Sequence, residues 1–297
     1  MGKVFDAMTK ALVEGDRTDA AYSSAEVIDR SEHARDINRA AAEPFSFVRY
    51  SLAAAPTVEE ARRASEDPPA ALIKRAESMP GSEITVDPRR LDPHLVSFYN
   101  FNPRASEQYN RLALKMISRS VERGLKRILI ASAHRREGRT TVALNLACAL
   151  ARARQRVMVV DCDFVQPGIS KALGIDCKTG LKEALDSGSP AGTAAFRVRP
   201  YGFDVLPVRK PLQNTVELMA DPEFWKLLQA FDGDHDFILF DSAPLLDFGD
   251  SSLLVRFTDT TVLVVESGKS SAAEMTRAMS AFTQDDILGV VLNRAAE

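Results

Sequence analysis

The feature that most restricts the fold is a change of texture near Arg127. From there on, short apolar runs alternate with longer segments whose apolar residues recur at helical spacing. The runs are Arg127–Ala133, Val157–Asp161, Phe203–Val208, Phe237–Asp241, Thr261–Val265 and Leu288–Leu292. Between them lie Thr140–Arg154, Leu181–Ser187, Thr215–Phe231, Asp250–Arg256 and Ala272–Phe282. Nearly continuous apolar runs belong to strands buried on both faces, as in parallel sheets covered by helices. The pattern predicts an α/β fold, a three-layer sandwich around a mostly parallel sheet. Right-handed crossovers then bring the carboxyl ends of the strands to one edge, where such folds bind ligands.

Upstream the composition differs. Residues 1–95 read as a loosely structured N-terminal segment, and residues 96–297 as the folded domain. Pro68, Pro69, Pro80, Pro88 and Pro93 interrupt any long regular element there. Val4, Phe5, Met8 and Leu12 are the exception, recurring at helical spacing in a short helix near the start. The net charge of -3 conceals an asymmetry. Residues 1–93 carry 17 acidic and 13 basic residues, whereas residues 104–139 carry 10 basic and 3 acidic. Part of that basic stretch, Arg104–Arg127, has Tyr109, Leu112, Met116, Ser120 and Val121 spaced for an amphipathic helix with a basic outer face.

A near-neutral total gives no reason to expect nucleic acid as a partner. No apolar run reaches the roughly 18 residues of a membrane helix, and the start lacks the apolar core of a secretory signal. The expectation is therefore a cytoplasmic protein with no membrane insertion. Cys148, Cys162 and Cys177 form no CxxC pair, which excludes a disulfide framework and a zinc ribbon. The four histidines are scattered without metal-ligand spacing.

The chemistry gathers at the predicted strand ends. The first strand runs into Ala133, His134, Arg135, Arg136, Glu137, Gly138, Arg139 and Thr140, and a helix follows. A phosphate-binding loop (P-loop) of pattern GxxxxGK[ST] has that layout, because glycines turn backbone N–H groups toward phosphate at a helix N-terminus. Gly138 and the magnesium-ligand hydroxyl of Thr140 fit the pattern; Ala133 and Arg139 replace its first glycine and its lysine. The second strand ends in Asp161 and Asp163, and the fourth in Asp241. Carboxylates at strand ends beside such a loop hold magnesium directly or through water. For each aspartate alone, capping of a following helix is the plainer reading.

In these motifs, residues 104–297 resemble the cytoplasmic kinase domain of the bacterial tyrosine kinases of capsule and exopolysaccharide assembly. That family belongs to the deviant P-loop ATPases that include the Min and Par proteins. SAHRREGRTT, VMVVDCDFVQP and FDFILFDSAPLLDFGD stand where the family has its phosphate loop and two acidic motifs, the last including Pro244 and Asp250. GLKEAL, NTVELMADPEFWKLL, DTTVLVVESGKSS and ILGVVLNR follow the family's order and spacing. The resemblance implies ATP or ADP with Mg2+ as cofactors. It implies catalytic roles for Asp161, Asp163 and Arg139, and metal contacts from Thr140, Asp161 and Asp241. Nucleotide contacts fall to Arg136, Glu137, Gly138, Arg139, Thr140, Thr141, Asn293 and Arg294, the last two toward the base.

The departures are equally specific. Arg139 stands for lysine, and guanidinium is wide and planar where ammonium is compact. The family's arginine after the second aspartate pair falls at Val165. Tyr22, Tyr50, Tyr99, Tyr109 and Tyr201 form no cluster after the last strand. Glu107, Asn110 and Ala113 stand where kinases carry a Glu-x-x-Arg-x-x-Arg oligomerisation pattern, so homo-oligomer formation stays open. Three readings follow. The first is a kinase-like protein with weakened or lost transfer, regulating polysaccharide polymerisation or export by docking on an inner-membrane co-polymerase. Such a protein is cytoplasmic, held at the membrane only through its partner. The second is an active ATP-dependent tyrosine kinase, and the third a Min- or Par-type positioning ATPase.

Overall fold

The computed structural model describes residues 48–49, 82–99, 102–247, 251–280, 282–283 and 286–294. The helix expected around Phe5, and Asp250 of the third motif, lie outside the described residues. Nine strands form one sheet: β1 (Val48–Arg49), β2 (Ser82–Thr85), β3 (Arg127–Ser132), β4 (Val157–Cys162), β5 (Phe196–Arg199), β6 (Phe203–Leu206), β7 (Phe237–Ser242), β8 (Thr260–Glu266) and β9 (Ile287–Asn293). Their spatial order is β1-β9-β8-β3-β7-β4-β6-β5-β2. Neighbours are parallel except β5 and β6, which are antiparallel.

All six expected strands are present, and they occupy six adjacent places in the sheet. Because side chains alternate across a strand, each strand feeds two cores. Ile128, Ile130, Val157, Val159, Val262 and Val264 face α1 (Pro103–Arg123), α2 (Arg139–Arg152) and α3 (Ile169–Leu173). Leu129, Ala131, Met158, Val160, Leu263 and Val265 belong to the second core. That side is covered by α4 (Leu181–Ser187), α6 (Pro222–Gln229), α7 (Ser251–Phe257) and α8 (Ala272–Met279). The result is the three-layer α/β sandwich read from the sequence.

Four differences from the sequence reading have local causes. The folded body begins before residue 96, since Ser82–Thr85 pairs along β5 and Val86, Leu91 and Leu95 are buried. There the prolines shape short turns instead of preventing order: Pro88 opens a 3-10 turn capped by the Asp87 carboxylate. Helix α1 ends at Arg123, not Arg127, because Gly124 adopts a left-handed conformation with φ 69°. Val121 falls off the Tyr109–Leu112–Met116 stripe and is 84% exposed. The helix expected over Thr215–Phe231 is two, α5 (Thr215–Ala220) and α6, separated where the Asp221 carboxylate accepts from Glu223 N–H at 2.9 Å and Pro222 starts the next turn.

Candidate functional site

Loop 133–138 joins β3 to α2 at the carboxyl edge of the sheet. Gly138 caps α2 with φ 97°, a conformation glycine adopts without strain. A Cβ there would lie 2.1 Å from Asn293 Nδ2, so the position also needs the missing side chain. Buried Glu137 shapes the loop from within: its Oε2 accepts the His134 backbone N–H at 2.8 Å, and its Oε1 accepts from Ser270 Oγ. Asn293 Nδ2 donates to the Glu137 carbonyl at 2.8 Å. Three hydrogen bonds, two of them from distant segments, thus brace one turn of backbone.

Arg139, in the first turn of α2, points into the protein and is only 7% exposed. Its Nε donates to the Ser242 carbonyl at 2.8 Å, and its Nη1 to the His134 carbonyl at 2.8 Å and to Ser132 Oγ. Its Nη2 lies 3.5 Å from Asp163 Oδ2. Thr140 Oγ1 donates to Asp241 Oδ2 at 2.6 Å. Asp161 and Asp241 are paired residues of adjacent strands β4 and β7. Asp161 accepts from the backbone N–H groups of Asp163, Gly168 and Ile169 at 3.1–3.2 Å, so it also caps the start of α3.

Burial, together with the Asp241 charge, pushes the Asp161 carboxyl well above the usual carboxylate range. Burial also raises Asp241, to about 6, against the opposing pull of Arg139 and Thr140. Asp163 is raised by burial as well. With all four groups ionised, three carboxylates against one guanidinium leave two negative charges. Asp241 Oδ1 is buried without a hydrogen-bond partner among the described residues, an arrangement that favours a cation at that oxygen. Among the described residues no three His, Cys, Asp or Glu side chains converge as a metal cage. Mg2+ fits such a place, because it takes one or two protein oxygens and completes its shell with water and phosphate. Thr140 Oγ1 and Asp241 would hold it, with Asp161 beside Asp241 on the neighbouring strand.

The structure therefore gathers Glu137, Gly138, Arg139, Thr140, Asp161, Asp163, Asp241 and Asn293 at one edge. Arg136 and Thr141 flank it in the chain, and Arg294 follows Asn293. Arg136 is exposed, with φ 65°. The Thr141 carbonyl accepts from Asn145 Nδ2 at 2.9 Å. Asn293, expected at the base, is buried with its amide committed to the loop, and Arg294 Nη1 pairs with Glu266 Oε1 at 2.9 Å. Residues the sequence did not single out are Ser132, Ser242 and Ser270, which meet Arg139 or Glu137. The first two end β3 and β7, and that strand-terminal position was the available signal.

A mostly parallel sheet with a phosphate-type loop after β3 and aspartates ending β4 and β7 defines a P-loop α/β protein. Residues 126–284, more than half of the chain, match the AAA domain family AAA_31, and the chain belongs to that family. It is similar to the tyrosine-protein kinase YwqD of Bacillus subtilis (strain 168), 29% identical over 190 residues, covering 63% of this chain and 80% of YwqD. It is also similar to the tyrosine-protein kinase Wzc of Salmonella typhi, 28% identical over 158 residues, which span 52% of this chain and 22% of that protein. The fold matches the kinase domain of the Escherichia coli tyrosine kinase ETK with a TM-score of 0.64 at 21% identity, over 85% of this chain and 93% of that domain. Among the described residues no helix is long and apolar enough to cross a membrane.

Proposed function

We propose that the protein is a tyrosine-kinase-like nucleotide binder of an exopolysaccharide or capsule system, with phosphoryl transfer weakened or lost. In this reading ATP or ADP with Mg2+ occupies the loop. The nucleotide state then regulates polymerisation or export through docking on an inner-membrane polysaccharide co-polymerase. Support for binding comes from the Thr140–Asp241 pair with its open buried oxygen, and from the similarity to tyrosine-protein kinases at 28–29% identity. The observation that carries weakened transfer is the inward guanidinium of Arg139, bonded to Ser132, His134 and Ser242. Phosphoryl transfer depends on placed charge, and one misplaced group costs about 10²–10³ in rate.

The test is Mg-ATP binding and phosphotyrosine content of the purified protein beside Arg139→Lys and Asp161→Ala. Nucleotide binding with little phosphotyrosine, raised in Arg139→Lys, is the expected result. Phosphotyrosine in the wild type that disappears in Asp161→Ala would instead establish an active kinase. That second reading draws on the complete set of aspartates at the loop. It also constrains the acceptor: Tyr99, Tyr109 and Tyr201 are all buried, which leaves Tyr22, Tyr50 or another protein.

A further inference from the structure

Arginine does not shed its proton inside a protein, so a buried guanidinium needs a counter-anion. Arg139 donates to three neutral acceptors, the Ser242 and His134 carbonyls and Ser132 Oγ, and meets one carboxylate directly, Asp163 at 3.5 Å, with the Asp241 charge close by but not bonded to it. Both members of the pair are buried, at 7% and 9% exposure. The neutral contacts are the short ones, and the charged contact is the long one. A guanidinium recognises carboxylate and phosphate through the same planar fork. The edge that faces Asp163 is therefore the edge a phosphate oxygen would take.

Asp163 is built to release that edge without unfolding. Its other oxygen, Oδ1, accepts the Gln166 backbone N–H at 2.9 Å and stays anchored if Oδ2 is given up. The residue after it, Phe164, is tied by its carbonyl to Leu212 N–H at 2.8 Å. On the reading of the loop as a nucleotide site, we infer that Asp163 is a positioning residue that holds Arg139 behind the loop, and that phosphate binds by displacing this carboxylate from the guanidinium. The arginine is thereby a self-occupied anion site, with the protein's own carboxylate competing against the ligand. A lysine at this position, a point charge with no fork, would bind either anion without this two-edged exchange.

Mg-ADP titrated calorimetrically into wild type, Asp163→Asn, Arg139→Met and the double variant tests the exchange. Asparagine keeps the shape and removes the competing charge, so Asp163→Asn is expected to bind Mg-ADP on the order of tenfold more tightly. In the Arg139→Met background the same substitution is expected to change affinity by less than about twofold, because the group it positions is gone. Equal weakening by Asp163→Asn in both backgrounds would mean that Asp163 touches nucleotide or metal itself, and would overturn the proposal. Urea unfolding of the same four proteins without nucleotide gives an independent reading. Non-additive effects are expected for a buried pair, and additive effects overturn the pairing whatever the nucleotide result. Non-additive unfolding with no Mg-ADP binding by any variant, Arg139→Lys included, overturns the phosphate-site reading and the exchange with it.

Discussion

Two clusters of buried charge sit on the same sheet and are treated in opposite ways. On β6, Asp204 accepts from Arg197 Nε at 2.6 Å and Nη2 at 2.9 Å, and meets His235 Nε2 at 3.0 Å. His235 Nδ1 faces the Phe231 carbonyl at 3.0 Å, so both ring nitrogens have oxygen partners. On β4 and β7, Asp161 and Asp241 stand side by side, and one Asp241 oxygen has no donor. The first cluster is complete within the chain and reads as structure. The second is incomplete among the described residues, since one carboxylate oxygen is left without a donor. That contrast, more than burial or acidity alone, separates a supporting network from a binding site.

The hardest way to break the first cluster is Asp204→Ala, which removes the carboxylate that half-buried Arg197 and buried His235 share. A loss of about 1.5–3 kcal/mol in urea unfolding is expected, the cost of losing hydrogen bonds to a buried charged group. Mg-ADP affinity of the folded fraction should stay unchanged. Gly138→Ala attacks the second region through its backbone: strain at φ 97° and the 2.1 Å approach to Asn293 should cost about 1–3 kcal/mol. Calorimetry should then show lost Mg-nucleotide binding. Asp241→Asn sharpens the comparison by reversing its sign. Removing one of two adjacent carboxylates should raise nucleotide-free stability by about 1 kcal/mol in thermal unfolding while abolishing the Mg2+ dependence of nucleotide binding. Destabilisation of the size seen at Asp204 would mean that the two clusters do the same job.

The smallest effect concerns acid. Burial raises the Asp204 carboxyl, but hydrogen bonds from His235 and Arg197 outweigh it and hold the group below the usual carboxylate range. A depressed native value means that the unfolded chain binds the proton first. Stability from Asp204 is therefore present above about pH 4 and is lost as pH falls through the native value. Urea midpoints measured from about pH 6 to about pH 3 should fall less steeply in Asp204→Asn than in the wild type.

Most of the central sheet was legible because its strands are apolar on both faces and end in chemically marked residues. The edges were not. Phe196–Arg199 reads FRVR and Ser82–Thr85 reads SEIT, each too short and too charged to stand out, and they become strands only by pairing with each other and with β6. The break at Asp221–Pro222 was written in the sequence as a cap followed by a first-turn proline, yet the helical period ran through it. At the site, the identity of Arg139 was plain and its direction was not. Which acceptors a guanidinium reaches depends on Ser132, Ser242 and Asp163, which the fold brings together from three strand ends. Asn293 was noticed for its position at the end of β9, but its partner lies 156 residues earlier.

That last separation has a consequence for how the protein is made. Synthesis runs from the N-terminus, and domains fold as their chain emerges. The phosphate loop leaves the ribosome early, with β3 and α2, but the amide that braces the Glu137 carbonyl arrives only with Asn293. Until then the turn lacks one of its three supports. Because β3 pairs with β7 and β8, the loop's own strand also waits for the later half of the chain, and a finished anion cradle is a property of the completed sheet.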